Sequence, residues 1–359
     1  MNPSRDPKIV KRLAASLHEL MRGLPLTRVM HVCGTHEHEI GRYALRQLLP
    51  DNLKVIAGPG CPVCITPAAA IVTAANIAKA DPKNILCAYG DVLKVPTGKG
   101  SLLDAKREGG DVRLVYGPPD AIRLAAEHPD RNVVFFSVGF ETTAAPVAAL
   151  LQGDVPRNFL IYTCHRYVPS AVKAIASQND GTLAGFLLPG HASVITGPEA
   201  YRFLPEKFGC ASAVAGFEPA DILLGLDYIA RQIRDKRPDV ENAYPRAVSP
   251  EGNPRAQAVL ADVFDLVDAP WRGIGVLPGT GFSLKADYAH LNALPRLDME
   301  EEPAEDIMPG CSCHLVMLGK RDPADCPLFR KVCTPSDPHG PCMVGTEGTC
   351  RAWFVLGAG

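Results

Sequence analysis

The sequence has no excess of positive charge and no long apolar run. With 37 basic and 39 acidic residues its formal net charge is -2, so it lacks the basic surplus that nucleic acids and anionic lipids attract. Glycine, proline or charge interrupts every hydrophobic stretch within about ten residues, short of the ~18 apolar residues that span a bilayer. We therefore expect no nucleic-acid partner and no membrane partner, and we predict a cytoplasmic location.

Two familiar binding signatures are also missing. The segment from Thr97 to Ser101 is similar to a phosphate-binding loop, but Leu93 stands where the first glycine of that loop is required, so nucleotide hydrolysis is not predicted. Zinc ribbons need paired Cys-x-x-Cys turns, and the chain has one such turn, from Cys61 to Cys64.

Short β-rich runs, each ended by glycine or proline and followed by an alanine-rich helical stretch, predict an α/β fold with a mainly parallel sheet. Before them, Asp6, Pro7 and Gly23 predict the start and end of an amphipathic helix that is not a signal peptide. The predicted strands are 29–32, 54–57, 85–88, 113–115, 133–138, 158–163 and 184–188.

Two weak internal repeats predict two similar α/β lobes. Val29 to Glu37 is similar to Val134 to Glu141, and Pro59 to Thr66 is similar to 189–196, although coincidence among glycine-rich turns is an alternative. Each repeat runs from a strand through a turn into a helix, so we expect a ligand cleft between the lobes, at the carboxyl ends of the strands. The predicted divisions are an N-terminal helix in 1–25, lobes in 26–130 and 131–245, and a small cysteine-rich C-terminal domain in 246–359.

The twelve cysteines call for an explanation. We recognise no export signal, and thiols that stay reduced indicate metal binding or redox chemistry more than disulfide frameworks. Six of the twelve lie from Cys311 onward, in a segment rich in proline and glycine that buries too little apolar surface to organise itself. A metal centre would supply that organisation.

The segment from Cys33 to His38 follows a strand and opens a helix, with Thr35 as the expected N-cap. A thiol at a helix N-terminus feels the positive end of the helix dipole, which lowers its pKa and favours the thiolate. Cys33 with His36 could therefore hold a soft divalent ion such as Fe(II). The alternative is a small buried cysteine beside solvated histidines.

Cys61 and Cys64 form a Cys-x-x-Cys turn, with Thr66 as the expected N-cap of the following helix. The two sulfurs can close a small disulfide loop, and the helix dipole stabilises the thiolate that attacks or leaves. Redox use is favoured over half of a zinc site.

Long loops separate most of the tail cysteines. Six thiols cannot all ligate one four-ligand site, and the long loops favour a cluster held by four thiolates, although spacing alone leaves zinc open. The six are Cys311, Cys313, Cys326, Cys333, Cys342 and Cys350.

Three other cysteines, Cys87, Cys164 and Cys210, lie in or beside apolar runs and are expected in the core. Glu141 lies near the position that matches Glu37, where it could bind metal or simply sit at a helix N-terminus.

Five motifs spread over nearly the whole chain are Cys33-Gly-Thr-His-Glu, Gly58-Pro-Gly-Cys-Pro-Val-Cys, Ser137-Val-Gly-Phe-Glu-Thr-Thr, Pro189-Gly-His, and the tail from Cys333-Thr-Pro through Gly340-Pro-Cys-Met-Val. In these motifs the chain closely resembles the HypD family of hydrogenase maturation factors. The resemblance implies two similar α/β domains plus a domain that holds one [4Fe-4S] cluster. It also implies an assembly scaffold more than a multiple-turnover enzyme.

The resemblance further implies partners. A HypD-like protein works with a small HypC-like chaperone, and the pair is the scaffold for the Fe(CN)2CO group of nickel-iron hydrogenases. Cyanide comes from a HypE-like donor, which takes it from carbamoyl groups made by a HypF-like protein.

Carried over to this chain, the resemblance implies a role for most of the motif cysteines. Cys33 would bind the transient iron alongside a cysteine of the HypC-like partner, with His36 as a candidate further ligand, and Cys61 and Cys64 would be the redox-active pair. Two tail cysteines, Cys313 and Cys342, have no secure role, and either could form an accessory disulfide or replace one of the named ligands. The implied cluster ligands are Cys311, Cys326, Cys333 and Cys350.

Two rival functions stay open at this point. A free-standing thiol-disulfide oxidoreductase could use the same cluster and dithiol on a soluble substrate. A zinc-stabilised binding module would contain zinc and no iron.

Overall fold

The computed structural model describes residues 3–357, which form an α/β protein with two parallel sheets and a two-stranded hairpin. Its α-helices are α1 (Pro7–Met21), α2 (Gly34–Arg42), α3 (Pro62–Ile65), α4 (Ala68–Ala80), α5 (Leu102–Arg107), α6 (Pro118–Glu127), α7 (Glu141–Leu151), α8 (Val168–Ser177), α9 (Gly190–Thr196), α10 (Phe203–Phe208), α11 (Pro219–Asp235), α12 (Pro254–Val263), α13 (Ala293–Arg296), α14 (Cys313–Met317) and α15 (Thr349–Leu356). Its strands are β1 (Thr27–His31), β2 (Leu53–Ala57), β3 (Asn84–Ala88), β4 (Val112–Leu114), β5 (Asn132–Gly139), β6 (Phe159–His165), β7 (Leu183–Pro189), β8 (Ala211–Ala215), β9 (Val240–Asn242), β10 (Phe264–Trp271) and β11 (Gly275–Leu284).

The first sheet has the strand order β2-β1-β7-β8-β9, and the second has the order β4-β3-β5-β6. Every pair of neighbours in both sheets is parallel. The predicted α/β class and all seven predicted strands are confirmed, with ends that differ by one or two residues. Parallel strands need crossover connections, and helices supply them here.

The two sheets interleave along the chain. After β1 and β2 the chain builds the whole second sheet, from β3 to β6, and then returns to the first sheet with β7. The predicted ranges 26–130 and 131–245 therefore do not coincide with the two sheets. The domain boundaries themselves stay predictions.

Both faces of the second sheet carry buried apolar side chains. Successive residues of a strand point to opposite faces, so Val134 and Phe136 pack on one side while Val133 and Phe135 pack on the other. Helices α4 and α5 cover the first of these faces, and α6, α7 and α12 cover the second. Such two-sided burial explains why the strands appear in the sequence as nearly continuous apolar runs.

The N-terminal helix α1 packs against α11 on one face of the first sheet. Asp6 is its N-cap and accepts a hydrogen bond from the Lys8 backbone N–H at 2.9 Å. Gly23, just beyond the helix, has a φ of 76°, which a glycine adopts without strain. The predicted helix is thus confirmed over the described residues; Met1 and Asn2 lie outside them.

The hairpin of β10 and β11 lies between the second sheet and the chain's C-terminal part. From residue 285 to residue 357 the chain forms short helices and turns, as its proline and glycine content predicts. Within residues 3–357 no helix is both long and apolar enough to cross a lipid bilayer.

Candidate functional site

Three of the sequence motifs lie side by side at the carboxyl edge of the first sheet. Strands β2, β1 and β7 are neighbours, and they lead into the turns that carry Cys61, Cys33 and His191. The Gly34 N–H donates to the Gly60 carbonyl at 3.0 Å, which joins the two cysteine turns directly. A Cβ atom on Gly60 would lie 2.2 Å from the backbone nitrogen of Cys33, so only glycine allows this approach.

A cavity of about 160 Å³ lies above this edge. The first sheet contributes Cys33 and His191, the start of α7 in the second sheet contributes Thr142, and the C-terminal tail contributes Glu347. The cavity therefore lies at the carboxyl ends of strands from both sheets. Its lining comprises Val32, Cys33, Gly60, Pro62, Phe140, Thr142, Thr143, Val168, Pro189, His191, Ala192 and Glu347.

Burial raises the pKa of Cys33 to about 11, and the nearby Glu347 carboxylate adds to the rise. The expected lowering of this pKa by the helix dipole is wrong, because desolvation outweighs the backbone N–H groups of His36 and Thr35. The expected N-cap is also wrong. Cys33 itself caps α2, and Thr35 Oγ1 donates instead to Glu347 at 3.1 Å.

His36 is not among the residues that line the cavity. Its Nε2 donates to the Gly216 carbonyl at 3.0 Å, and its ring packs against Phe217 with centroids 5.0 Å apart. Burial lowers the pKa of His36 to about 3, so the ring is neutral. The histidine that lines the cavity together with Cys33 is His191, and the role predicted for His36 as an iron ligand stays untested.

A buried carboxylate, Glu37, connects the Cys33 turn to the tail. Arg46 binds both of its oxygens at 2.9 Å, His31 Nε2 lies 2.6 Å from Oε2, and Trp353 Nε1 donates to Oε1 at 2.9 Å. His31 Nδ1 in turn lies 3.1 Å from the Cys33 carbonyl. Although burial opposes it, Arg46 and His31 hold the pKa of Glu37 well below its usual range.

Cys61 and Cys64 form a disulfide with their Cα atoms 5.3 Å apart. Cys61 is the N-cap of the short helix α3, and its sulfur lies 3.2 Å from the Cys64 backbone nitrogen. Thr66 is not the N-cap predicted for the next helix, since it ends α3 and its hydroxyl donates to the Pro62 carbonyl at 2.9 Å. The pair can thus adopt the oxidised state that a redox role requires, while the role itself stays a prediction.

All six tail cysteines surround one apolar cavity. Cys313 interacts electrostatically with Cys311 and with Cys342, and Cys342 interacts with Cys350. The interactions with Cys311 and Cys342 lower the pKa of Cys313. The cavity is lined by Cys311, Cys313, Cys326, Cys333, Cys342 and Cys350, with Leu328, Phe329, Gly340 and Met343.

Six thiols around one apolar cavity are a donor set suited to thiolate ligation, while the cluster itself stays a prediction. Across residues 3–357, no three histidine, cysteine, aspartate or glutamate side chains are grouped closely enough to hold one metal ion. The thiolates of a cubane cluster bind four different irons, so they surround a space instead of meeting at a point. Four of the six thiols are those expected as ligands, Cys311, Cys326, Cys333 and Cys350.

The disulfide packs into the same apolar cluster as the tail cysteines. Cys61 and Cys64 share it with Cys313, Cys333 and Cys342, among others. The Cys64 sulfur lies 3.9 Å from the carbonyl oxygen of the residue before Cys342. Of the two cysteines without a predicted role, Cys342 lies in the turn that contacts α3, the helix of Cys64.

Glu141 is fully buried as the first residue of α7. Its Oε1 accepts from the Val168 backbone N–H at 2.6 Å, and burial raises its pKa to about 8. Of the two predicted alternatives, metal binding or a place at a helix N-terminus, Glu141 thus occupies the helix N-terminus. The three cysteines expected in the core, Cys87, Cys164 and Cys210, are all buried.

Comparison with known proteins gives consistent results. The HypD family model, described as the hydrogenase formation hypA family, matches residues 8–357. The chain is 42% identical to hydrogenase maturation factor HypD2 of Bradyrhizobium diazoefficiens, over 98% of this chain and 95% of that protein. It is 41% identical to HypD of Escherichia coli and 38% identical to HypD of Cupriavidus necator, each over 98% of this chain and 96% of the relative. Among solved structures, a D-threo-3-hydroxyaspartate dehydratase from Delftia sp. matches with a TM-score of 0.17 and 14% identity over 82% of this chain and 86% of that one, too low to indicate a shared fold.

Proposed function

Because the chain belongs to the HypD family of hydrogenase maturation factors, we propose that it is the scaffold on which the Fe(CN)2CO group of nickel-iron hydrogenases is built. In this proposal a small HypC-like chaperone shares the iron, and a HypE-like protein donates cyanide. The chain carries a [4Fe-4S] cluster of its own on Cys311, Cys326, Cys333 and Cys350.

One observation carries the proposal: the turn of Cys33 is hydrogen-bonded to the turn that leads into the Cys61–Cys64 disulfide, and that disulfide packs against the tail thiols. A candidate metal ligand, a two-electron thiol pair and a candidate cluster site are therefore contiguous. An isolated metal-binding module would not need a disulfide between its two sulfur sites.

Cys33 is the proposed ligand to the iron under construction. It is the thiol that lines the cavity at the strand ends, where a second protein could supply a further ligand. Since Cys33 is a thiol at neutral pH, iron binding has to displace its proton. The neutral ring of His191 and the Glu347 carboxylate are close enough to line the path of that proton.

Cys61 and Cys64 are the proposed electron store. Reduction of their disulfide takes up two electrons and two protons and gives two thiols, and reoxidation returns both. Bound in the tail, the cluster would supply those electrons one at a time from a low-potential protein donor such as a ferredoxin. Burial of both sulfurs keeps small-molecule thiols and water away from the pair.

Infrared spectroscopy of the complex, purified anaerobically with its HypC-like partner, tests the proposal. We expect cyanide and carbon monoxide bands in the native complex and their loss in Cys33→Ala. Cys210→Ala is the matched control, because Cys210 is buried but directly precedes β8, at the edge of the first sheet opposite the carboxyl ends that carry the cavity. Retention of the bands by Cys33→Ala would remove Cys33 from the iron site.

A Cys64→Ser variant separates the scaffold from its rival, a free-standing oxidoreductase. We expect it to keep the visible absorbance of the cluster while hydrogenase maturation fails. Loss of the absorbance would mean that the pair is structural. Native protein that never shows the diatomic bands, yet reduces a soluble disulfide catalytically, would favour the rival.

A further inference from the structure

Arg272 is a buried cation beside the tail thiols. It lies in the turn between β10 and β11 and is 0% exposed. Its Nε donates to the Asp306 carbonyl at 2.7 Å and its Nη2 donates to the Pro96 carbonyl at 2.8 Å, while its own backbone N–H donates to the Ile65 carbonyl at 2.8 Å. The first two bonds hold the guanidinium group in place, and the third holds the backbone of the turn.

The remaining guanidinium nitrogen has nothing to donate to. Nη1 of Arg272 is buried without a hydrogen-bond partner among residues 3–357. The next residue of the turn, Gly273, lies against the residue that follows Cys313: a Cβ on Gly273 would be 2.7 Å from the Cβ of His314. Burial lowers the pKa of Arg272, and the groups that oppose this are Cys313, Asp306, Cys311 and Cys342. Three of these four belong to the cavity of tail cysteines.

An arginine in such surroundings needs a negative partner. Burying a charge is costly unless it is paired, and the two oxygens that Arg272 bonds belong to main-chain carbonyls, which are uncharged. A cluster held by four thiolates carries net negative charge, which increases by one on reduction. The guanidinium is positioned to balance that charge.

We propose that the buried guanidinium of Arg272 raises the reduction potential of the iron-sulfur cluster by placing a fixed positive charge beside the cavity of tail cysteines, where Cys311 is a proposed ligand. The inference rests on the proposed cluster. A positive charge stabilises the reduced, more negative state more than the oxidised one, and the low dielectric of the interior leaves the interaction poorly screened. Arg272 acts through the cluster, so it is a positioning residue and not a catalytic one.

The competing view is that Arg272 is only structural, because its bonds tie together three separate segments. A structural arginine would alter folding or iron content when it is replaced, without moving the potential of the cluster that remains. Two substitutions separate the two views, since lysine keeps the positive charge and glutamine removes it.

The test is a redox titration of the full-length protein, purified anaerobically, with dithionite as reductant and iron and sulfide content measured alongside. For Arg272→Gln we expect the equilibrium constant for one-electron reduction to fall at least about tenfold, which corresponds to ~59 mV. Arg272→Lys should stay within about threefold of the native constant. The matched control is Arg166→Gln, another buried arginine bonded to the same hairpin, whose sulfur neighbour is Cys164 and not a tail cysteine.

A second variant keeps the inference testable if Arg272→Gln loses its iron. The Asp306 carboxylate accepts the backbone N–H groups of Ala68 and Gly273 at 2.8 and 2.9 Å and partly offsets the guanidinium charge. Asp306→Asn leaves the arginine in place and should raise the potential. An iron-replete Arg272→Gln at the native potential, or an unmoved potential in Asp306→Asn, overturns the inference. Native protein without iron or sulfide would instead overturn the proposed function.

Discussion

Cys33 has a pKa near 11 because desolvation and the Glu347 carboxylate both disfavour its thiolate. The same residue caps a helix, and the backbone N–H groups there lower the pKa by less than burial raises it. A metal ligand that is protonated before loading binds a cation only with release of a proton. Loading of Cys33 should therefore become more favourable as the pH rises.

Alkylation of Cys33 measures this directly. Below pH 11 its thiolate fraction, and with it the rate of reaction with iodoacetamide, should rise about tenfold per pH unit. Glu347→Gln should shift the profile to lower pH because it removes the nearby negative charge. Peptide mapping by mass spectrometry isolates the Cys33 signal, with Glu302→Gln as a surface control. A rate that levels off below pH 9 would contradict a pKa of about 11 for Cys33.

Glu141 makes the stability of the protein depend on pH. Its pKa is raised from 4.5 to about 8 by burial, so the folded state keeps a proton that the unfolded state releases. The stabilisation is complete below pH 4.5 and decreases by up to ~1.4 kcal/mol per pH unit as the pH rises toward 8. Glu141→Gln should remove most of that dependence.

Urea unfolding at pH 5.5 and at pH 8 tests this. The native protein should lose more stability between the two pH values than Glu141→Gln does. An equal loss in both proteins would show that other groups cause the dependence. Glu302→Gln, an exposed carboxylate removed in the same way, should behave like the native protein.

At the scale of secondary-structure elements, the sequence predicts some parts well and others poorly. The seven predicted strands are apolar runs between glycine and proline, and burial on both faces makes such runs easy to recognise. Strand β8 is missed because alanine at three of its five positions is more typical of a helix. The hairpin is missed because exposed residues in β10 hide the alternation that would indicate a strand.

The sequence likewise predicts some residues of the candidate site and not others. Thiols at strand ends are recognisable because cysteine beside glycine turns is a local pattern. Glu347 and Arg272 are recognisable only from the fold, since each comes from an element far along the chain. His191 belongs to the Pro189-Gly-His motif, but its place in the Cys33 cavity also needed the fold. The direction of the Cys33 pKa shift also needed the fold, because burial cannot be read from the residues around Cys33 alone.

Gly340 lies against the tail sulfurs, at the start of a short turn. Its φ of -129° suits any residue, but a Cβ there would lie 2.6 Å from Cys311 Sγ and 3.5 Å from Cys313 Sγ. Gly340→Ala should therefore displace Cys311 and lower the iron and sulfide content of anaerobically purified protein by half or more. Gly98→Ala is the control, because no atom lies within 4 Å of the added methyl group. Full iron content in Gly340→Ala would mean that Cys311 is free to move or is not a ligand.

At the scale of the whole molecule, the tail is attached to the first sheet through Trp353 and Glu37. Trp353→Phe removes one hydrogen bond to a buried carboxylate that keeps its Arg46 and His31 partners, so we expect a loss of about 1 kcal/mol. The tail should also be cleaved faster in limited proteolysis of the folded protein. Val355→Ala, on the exposed side of the same helix, should change neither result. An unchanged cleavage rate in Trp353→Phe would place the attachment elsewhere.

The interleaved order of the two sheets has a consequence for synthesis on the ribosome. The second sheet is built entirely from residues 84–165, so all its strands can pair before the later part of the chain emerges. Strands β1 and β2 emerge first, yet their neighbour β7 begins only at Leu183. The thiol-bearing turns at their ends, Cys33 and Cys61 among them, thus lack this neighbouring strand while residues 65–182 are translated, and that interval is when they are most open to premature oxidation or to a stray metal ion.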